Sequence, residues 1–274
     1  MKIDVTYNFI KDIDENIDRF VTQYLDNHDK VRDIDTYSQT LREYQACIYK
    51  KALQRHNNII FDLKLGNNPE YDYLYWNDSI YYGDDLAKSR FASDSIVNMQ
   101  ERYKPVRDND FVPDLTDEGI KRILKEYVKS ASTIGGEIIF PKHPNSINAA
   151  RGRNPKIKDR FDLTLECIKR FYEQRDNQEK EYNPLYDALK ADEKFFDLFD
   201  DFGDYVEFFY LDGSYVQDGE IKFFIGGKPN FDNNFTPLPT SLEEWEQLYK
   251  NQMACLAARN EKIAALFSPN DSIK

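Results

Sequence analysis

The sequence predicts an α+β protein, one helix-rich domain carrying a small sheet that is either mixed or antiparallel. Three observations lead there. Stretches with a period of two and stretches with a period of 3.6 both occur, but they do not alternate as a doubly wound sheet requires. Aromatic residues make up 15% of the 274 positions, enough bulk for a substantial core in a chain that is polar on average. No internal repeat or low-complexity tract divides the chain, so residues 1–274 read as a single globular domain.

Taken in order, Ile3, Val5, Tyr7 and Phe9 alternate with mostly polar neighbours and predict a strand. Ile17, Phe20, Val21 and Tyr24 fall at helical spacing within 14–25, and Leu41, Tyr44 and Ile48 do so within a second predicted helix over 36–53. The β-branched run from Ile59 predicts a strand to Leu65, and the Tyr-rich 71–82 stretch reads as strand or extended loop. Residues 102–117, with Pro105 and Pro113, form a surface connection before a helix over 117–130. Gly135 and Gly136 turn the chain into a strand over 137–140. The stretch 141–154, rich in Asn, Pro and cations, reads as a loop, followed by a strong helix over 158–174. Two or three helices fill 184–211, and 220–225 is a strand. Ser241 and Glu244 have the spacing of a capping box that opens a helix running to about 267, with a frayed tail over 268–274.

Composition limits function. A formal net charge of -12 opposes general attraction to nucleic acid or anionic lipid. No apolar stretch approaches the roughly 20 residues that span a bilayer, and the start of the chain lacks the apolar run of a signal peptide. Cys47, Cys167 and Cys255 are widely spaced, form no CxxC pair and read as buried hydrophobes. A cytoplasmic protein is expected. P-loop, GxGxxG, GxSxG and HExxH signatures are all missing, so the cofactor, if there is one, stays unknown and no metal site is assigned. Of three histidines only His143 lies in an unusual setting.

That setting is a positive island. Between 142 and 160 the cations are Lys142, Arg151, Arg153, Lys156, Lys158 and Arg160, against the single acid Asp159. The stretch leads into a helix start, where unpaired N–H groups and the dipole favour anions. Arginine forks match phosphate or carboxylate with paired hydrogen bonds. The functional expectation is an anionic small molecule or nucleotide at 143–160, held by Asn148, Arg151, Arg153 and Arg160. The simpler expectation is that these arginines pair with the chain's own acids, and the excess of acids over bases, 49 to 37, favours it. On the following helix Asp162 and Glu166 stand one turn apart and are candidate catalytic or metal-positioning carboxylates. The same residues also suit a helix start and an i,i+4 pair with Arg170.

The counterpart is acidic. From 187 to 220, eleven acids stand against Lys190 and Lys194, with Phe195, Phe199, Phe202 and Phe209 spaced between them. A solvated face over an aromatic core accounts for the pattern. The rival is a docking surface for a basic protein partner, a non-catalytic interaction module of the phage–host conflict type. A metal-dependent nuclease or transferase is the third possibility.

Three stretches carry a resemblance. Ile134-Gly135-Gly136 with Ile138 to Pro141, Ile147-Asn148-Ala149-Ala150-Arg151-Gly152, and the run from Asp159 to Ile168 resemble an uncharacterised bacterial family classed as a domain of unknown function. Asp35 to Leu41, Pro184-Leu185, Phe195 to Phe199 and Arg259-Asn260 extend the likeness over most of the chain. The resemblance implies a stand-alone bacterial or phage-borne protein and transfers no catalytic residue.

Overall fold

A computed structural model describes residues 2–27, 31–53, 59–65, 74–76, 90–95, 111–114, 116–174 and 181–267. The predicted strand at the start of the chain does not form. Ile3, Phe9 and Ile10 are buried, but Asp4 Oδ1 accepts from the Thr6 N–H (2.9 Å) and Asn8 Oδ1 from the Ile10 N–H (3.1 Å). Such local side-chain bonds hold the backbone in turns instead of a ladder, and Phe9–Asp12 closes a 3-10 turn.

Helix α1 covers Ile17–Asn27. The helix predicted over 36–53 is divided into α2, Ile34–Tyr37, and α3, Gln39–Ile48. Ser38 causes the break: its backbone is extended, and its Oγ accepts from the Leu41 N–H at 3.0 Å, capping α3. Lys51–Leu53, expected as the helix end, is strand β1, antiparallel to β2, Ile59–Phe61.

A four-stranded sheet follows. Its order is β3 (Leu63–Leu65), β4 (Leu74–Trp76), β5 (Arg90–Ser95) and β6 (Glu137–Pro141), and every pairing is antiparallel. Helix α4, Glu118–Ala131, starts on Asp117, whose carboxylate accepts from the N–H groups of Gly119 and Ile120. The glycines beyond it are more than turn formers. A Cβ on Gly136 would lie 2.0 Å from the Ala131 carbonyl oxygen, and one on Gly135 would lie 2.6 Å from that of Leu256.

The stretch predicted as a loop over 141–154 contains helix α5, Ile147–Arg153, with Ser146 Oγ accepting from the Ala149 N–H. Helix α6, Phe161–Glu173, is buried on almost every side, as its two apolar stripes require. The predicted helices of 184–211 are α7 (Tyr186–Ala191), α8 (Glu193–Phe196) and α9 (Phe202–Phe208), then come the short strands β7 (Val216–Gln217) and β8 (Glu220–Ile221). Helix α10, Leu242–Phe267, closes the described fold. Its capping box is shifted by one residue: Ser241 Oγ accepts from the Glu244 N–H, while the Glu244 carboxylate accepts from Thr240. Buried apolar side chains from Ile3 to Ile263 form one continuous cluster. Most of the expected 102–117 connection and the 268–274 tail lie outside the described residues. Among the described residues no helix is long and apolar enough to cross a membrane.

Helix α10 reaches back to the centre. Arg259 donates to the carbonyls of Gly135 (3.0 Å), Glu137 (2.8 Å) and Phe209 (3.2 Å) and to the Tyr49 hydroxyl (2.8 Å). Asn260 Oδ1 accepts from the Gly135 N–H at 2.7 Å. Together they fix the start of β6, and with it Glu137.

Candidate functional site

The antiparallel register sets Ser95 opposite Glu137 and Asp94 opposite Ile138. Side chains alternate across a strand, so Asp94 leaves the sheet on one face and Ser93, Ser95 and Glu137 on the other. On the first face Arg151 Nη1 of α5 donates to Asp94 Oδ2 at 2.6 Å and to the Ser95 carbonyl at 3.1 Å, and Nη2 to the Asp159 carbonyl at 2.8 Å. The guanidinium lies 5.6 Å from the Phe140 ring centroid and is fully buried. Asp159 holds a left-handed backbone (φ 59°) as it turns toward α6. Gly152 makes room for it: a Cβ there would lie 2.9 Å from Asp159 Oδ2.

On the second face Ser93 Oγ donates to Gln45 Oε1 of α3, and the Ser95 N–H donates to Asp35 Oδ2 at 3.3 Å. Here Asp35 and Glu137 are neighbours, each carboxyl acting on the proton affinity of the other. Neither Glu137 oxygen, nor Asp35 Oδ1, receives a hydrogen bond from a described N–H or O–H group. Burial, then the facing Asp35 charge, raises the proton affinity of Glu137 well above the ordinary carboxyl range. Asp35 is raised in the same direction by burial and then by the charges of Asp33 and Asp94. Asp94 itself is raised to about 6, chiefly by burial; Arg151 opposes the rise and Asp159 adds to it.

Two cavities open on this cluster and share Asp33, Asp35 and Asp94 as a common wall. The larger, about 290 Å³, also takes in Arg42, Lys142 and Asn148. The smaller, about 80 Å³, takes in Asp159 and the rings of Phe20 and Tyr24, which stack with centroids 6.0 Å apart. Arg42 donates to the Thr36 carbonyl at 2.6 Å. Lys142 is exposed and Asn148 half-buried, and neither side chain has a hydrogen-bond or ion-pair partner among the described residues.

The sequence-derived candidates are thus distributed unequally. Asn148 lines the larger cavity, and Arg151 lies behind it, bonded to Asp94. Arg153 spends its guanidinium on the carbonyls of Ala149 and Pro144. Arg160 is buried against Asp162 and donates to the Pro237 and Ile225 carbonyls. Glu166 pairs with Arg170 at 2.8 Å, both buried. The arginines therefore have separate sets of partners within this chain and do not form one anion cradle. Asp162 and Glu166 are each half of a buried ion pair, and Asp162 also accepts from the Phe224 N–H at 2.9 Å. His143 Nε2 bonds Asp192 Oδ1 at 2.5 Å, while Asp192 Oδ2 accepts from Ile147 N–H at the start of α5. His28 and His56 lie outside the described residues. Among the described residues, no three His, Cys, Asp or Glu side chains are grouped to hold a metal ion. In the acidic stretch Asp187, Asp197, Asp201 and Glu207 are exposed above the buried rings of Phe195, Phe199 and Phe209.

Asp33, Asp35, Arg42, Asp94 and Glu137 escaped the sequence reading as site residues. For Glu137 the signal was available: a lone acid between Gly136 and the apolar run Ile138-Ile139-Phe140 has to be buried. Asp94 had no such mark, because β5 is half polar and was not recognised as a strand.

Over residues 3–263 the sequence matches a family described as a family of unknown function, DUF6994. The chain belongs to this family. An uncharacterised family was expected from the motifs around Gly135, Arg151 and Phe161, and the match extends over nearly the whole chain. No curated protein and no solved structure matches it. Two of those motifs now have a structural account in a member of the family. Gly135 and the Arg259-Asn260 pair are two sides of one contact, and Gly152 and Asp159 are two sides of another.

Proposed function

We propose that this protein binds a small molecule bearing a phosphate or carboxylate group in the larger cavity, with Lys142 and Asn148 as its contacts and Arg42 beside them. The observation that carries the reading is the state of those two side chains. Lys142 offers an ammonium and Asn148 an amide to a concave site, and no described residue of the chain uses either. A polar group left unused on a cavity wall is available to a ligand, whereas the buried arginines are committed to the fold. The volume, about 290 Å³, lies at the lower end of ligand cavities, roughly 300–1,000 Å³. That size supports a compact metabolite over a nucleotide. Of the holders expected for an anion at 143–160, this reading keeps Asn148 and replaces Arg151, Arg153 and Arg160 with Lys142 and Arg42.

Thermal denaturation against inorganic phosphate, short alkyl phosphates, carboxylates and nucleoside monophosphates tests the reading. At least one compact anion raises the melting temperature of the wild type, and Lys142→Ala and Asn148→Ala each reduce the rise while Arg153→Ala leaves it intact. If no anion in the series stabilises the protein, or if the Lys142 and Asn148 variants respond as the wild type does, the reading fails.

A further inference from the structure

The proposed anion contacts share their cavity with acids. Asp33, Asp35 and Asp94 line the same space as Arg42, Lys142 and Asn148. Each acid is provided for by the chain itself: Asp33 accepts from the Asp35 N–H at 3.2 Å, Asp35 from the Ser95 N–H at 3.3 Å, and Asp94 from Arg151 at 2.6 Å. An anion entering at Lys142 and Asn148 disturbs that balance, because it brings negative charge and no cation. In a cavity of about 290 Å³ every lining group feels the newcomer, since screening at ordinary salt acts only over roughly 10 Å.

Asp94 is the acid placed to respond. Its partner Arg151 stands one turn beyond Asn148 on α5, so one short helix carries both a ligand contact and the cation that holds Asp94. The Asp94 side chain is 22% exposed, which lets a proton reach it from water. Around it lie Arg151 from α5, Asp159 from the turn after α5, Asp33 before α2 and Asp35 within α2, with Arg42 and Lys142 on the shared cavity. Glu137 of β6 faces Asp35 and lines neither cavity. Burial, opposed by Arg151 and assisted by Asp159, already sets Asp94 at about 6. A further negative charge in the cavity raises its proton affinity again.

We infer that the cavity takes its anion together with a proton from solvent, and that Asp94 receives the proton. The inference rests on the anion-binding reading above and adds the regulation of that site: affinity rises as the surroundings become more acidic. Linkage makes the effect reciprocal. An anion that raises the proton affinity of Asp94 is itself bound more tightly once Asp94 is protonated.

Isothermal titration of the full chain with butyrate, methanesulfonate and sulfate, which stay charged from pH 6.0 to pH 7.5, tests this. Repeats in buffers of different ionisation enthalpy count the protons taken up. At least one anion binds four-fold or more tightly at pH 6.0 than at pH 7.5, with net proton uptake at pH 7.0. Asp94→Asn, whose side-chain carbonyl can still accept from Arg151, flattens the pH dependence and abolishes the uptake. Histidine is the other side chain that changes charge near neutral pH, and His143 follows Lys142 in sequence; His143→Gln leaves slope and uptake unchanged. Ethyl phosphate titrates in this range itself, so its proton uptake is compared between the wild type and Asp94→Asn, and is larger in the wild type. Each variant is first checked for a cooperative unfolding transition. Should Asp94→Asn fail to fold, the slope and uptake of the wild type, beside those of His143→Gln, decide. Equal affinity at both pH values without proton uptake overturns the coupling and leaves the anion reading in place. A slope that survives Asp94→Asn, or that His143→Gln or Asp35→Asn abolishes, overturns the assignment to Asp94. Absence of binding by every anion at both pH values overturns the coupling and the anion reading together.

Discussion

Arg151 and Asp94 are joined by a 2.6 Å hydrogen bond across 57 residues of sequence, and the cation side of the pair is fully buried. Neither residue explains its position alone. The bond helps to seat α5 on the sheet, and without it Asp94 would be a carboxylate in a low-dielectric wall beside Asp33 and Asp159.

Removing the cation should therefore cost more than removing the pair. Arg151→Met is expected to lower unfolding free energy by about 3 kcal/mol, and the double variant Arg151→Met with Asp94→Asn to recover part of the loss. Urea unfolding of the two single variants and the double variant checks this. Additive losses would mean that the two side chains are not coupled.

The Asp35–Glu137 pair makes a prediction about pH. Proton affinities of Glu137, Asp35 and Asp94 are higher in the folded chain than the ordinary carboxyl values, with Asp94 at about 6 against 3.8. The folded state thus binds more protons than the unfolded state once pH exceeds about 4, and stability from these groups is lost as pH rises through 6 and above. Glu137→Gln imitates the protonated acid. The variant should match the wild type near pH 5 and exceed it by about 1–2 kcal/mol at pH 8, as read by urea unfolding at the two values. Loss of stability at both would refute a raised proton affinity at Glu137.

Gly152 lies inside α5, where alanine is the better helix former by about 1 kcal/mol. Contact with Asp159 reverses that preference. Its carboxylate is drawn to the Arg151 guanidinium, whose Nε lies 3.8 Å from Asp159 Oδ1, and the left-handed backbone at Lys158 and Asp159 holds the turn. Gly152→Ala should destabilise by about 1–3 kcal/mol, and the same change with Asp159→Gly should not. Melting temperatures of the two variants separate the outcomes.

Asp192 fastens the start of α5 through the Ile147 N–H at 2.8 Å and His143 at 2.5 Å. Asp192→Ala leaves a buried N–H without its acceptor and is expected to cost about 2 kcal/mol. His143→Ala should cost less, since its side chain is partly exposed and the backbone bond survives. The reverse order, measured by chemical denaturation, would give His143 a role beyond holding Asp192.

Much of this architecture is legible in the sequence where one face of an element repeats. Helices α1, α4, α6 and α10 follow from apolar periodicity and from the acids and hydroxyls at their starts. Periodicity failed where side chains bonded locally to backbone. Alternation at Ile3, Val5, Tyr7 and Phe9 marks burial of some of these residues, but Asp4 and Asn8 bend the chain out of a strand. The mixture of Asn, Gly and Arg in α5 concealed a helix whose one clear sign was Ser146. For the site, the oddity of the positive island was visible, and Asn148 does line the larger cavity. The acidic wall was not visible, because it is assembled by strand register and by a helix far along the chain, and neither leaves a local pattern. Counting charges within one segment also left out Asp94, Ile225 and Pro237, which bind Arg151 and Arg160 from elsewhere in the chain.

Arg259 comes 122 residues after Glu137, whose carbonyl it holds. A polypeptide leaving the ribosome presents β6 well before α10 is made. During that interval the start of β6 lacks the bonds that Arg259 makes to the Gly135 and Glu137 carbonyls.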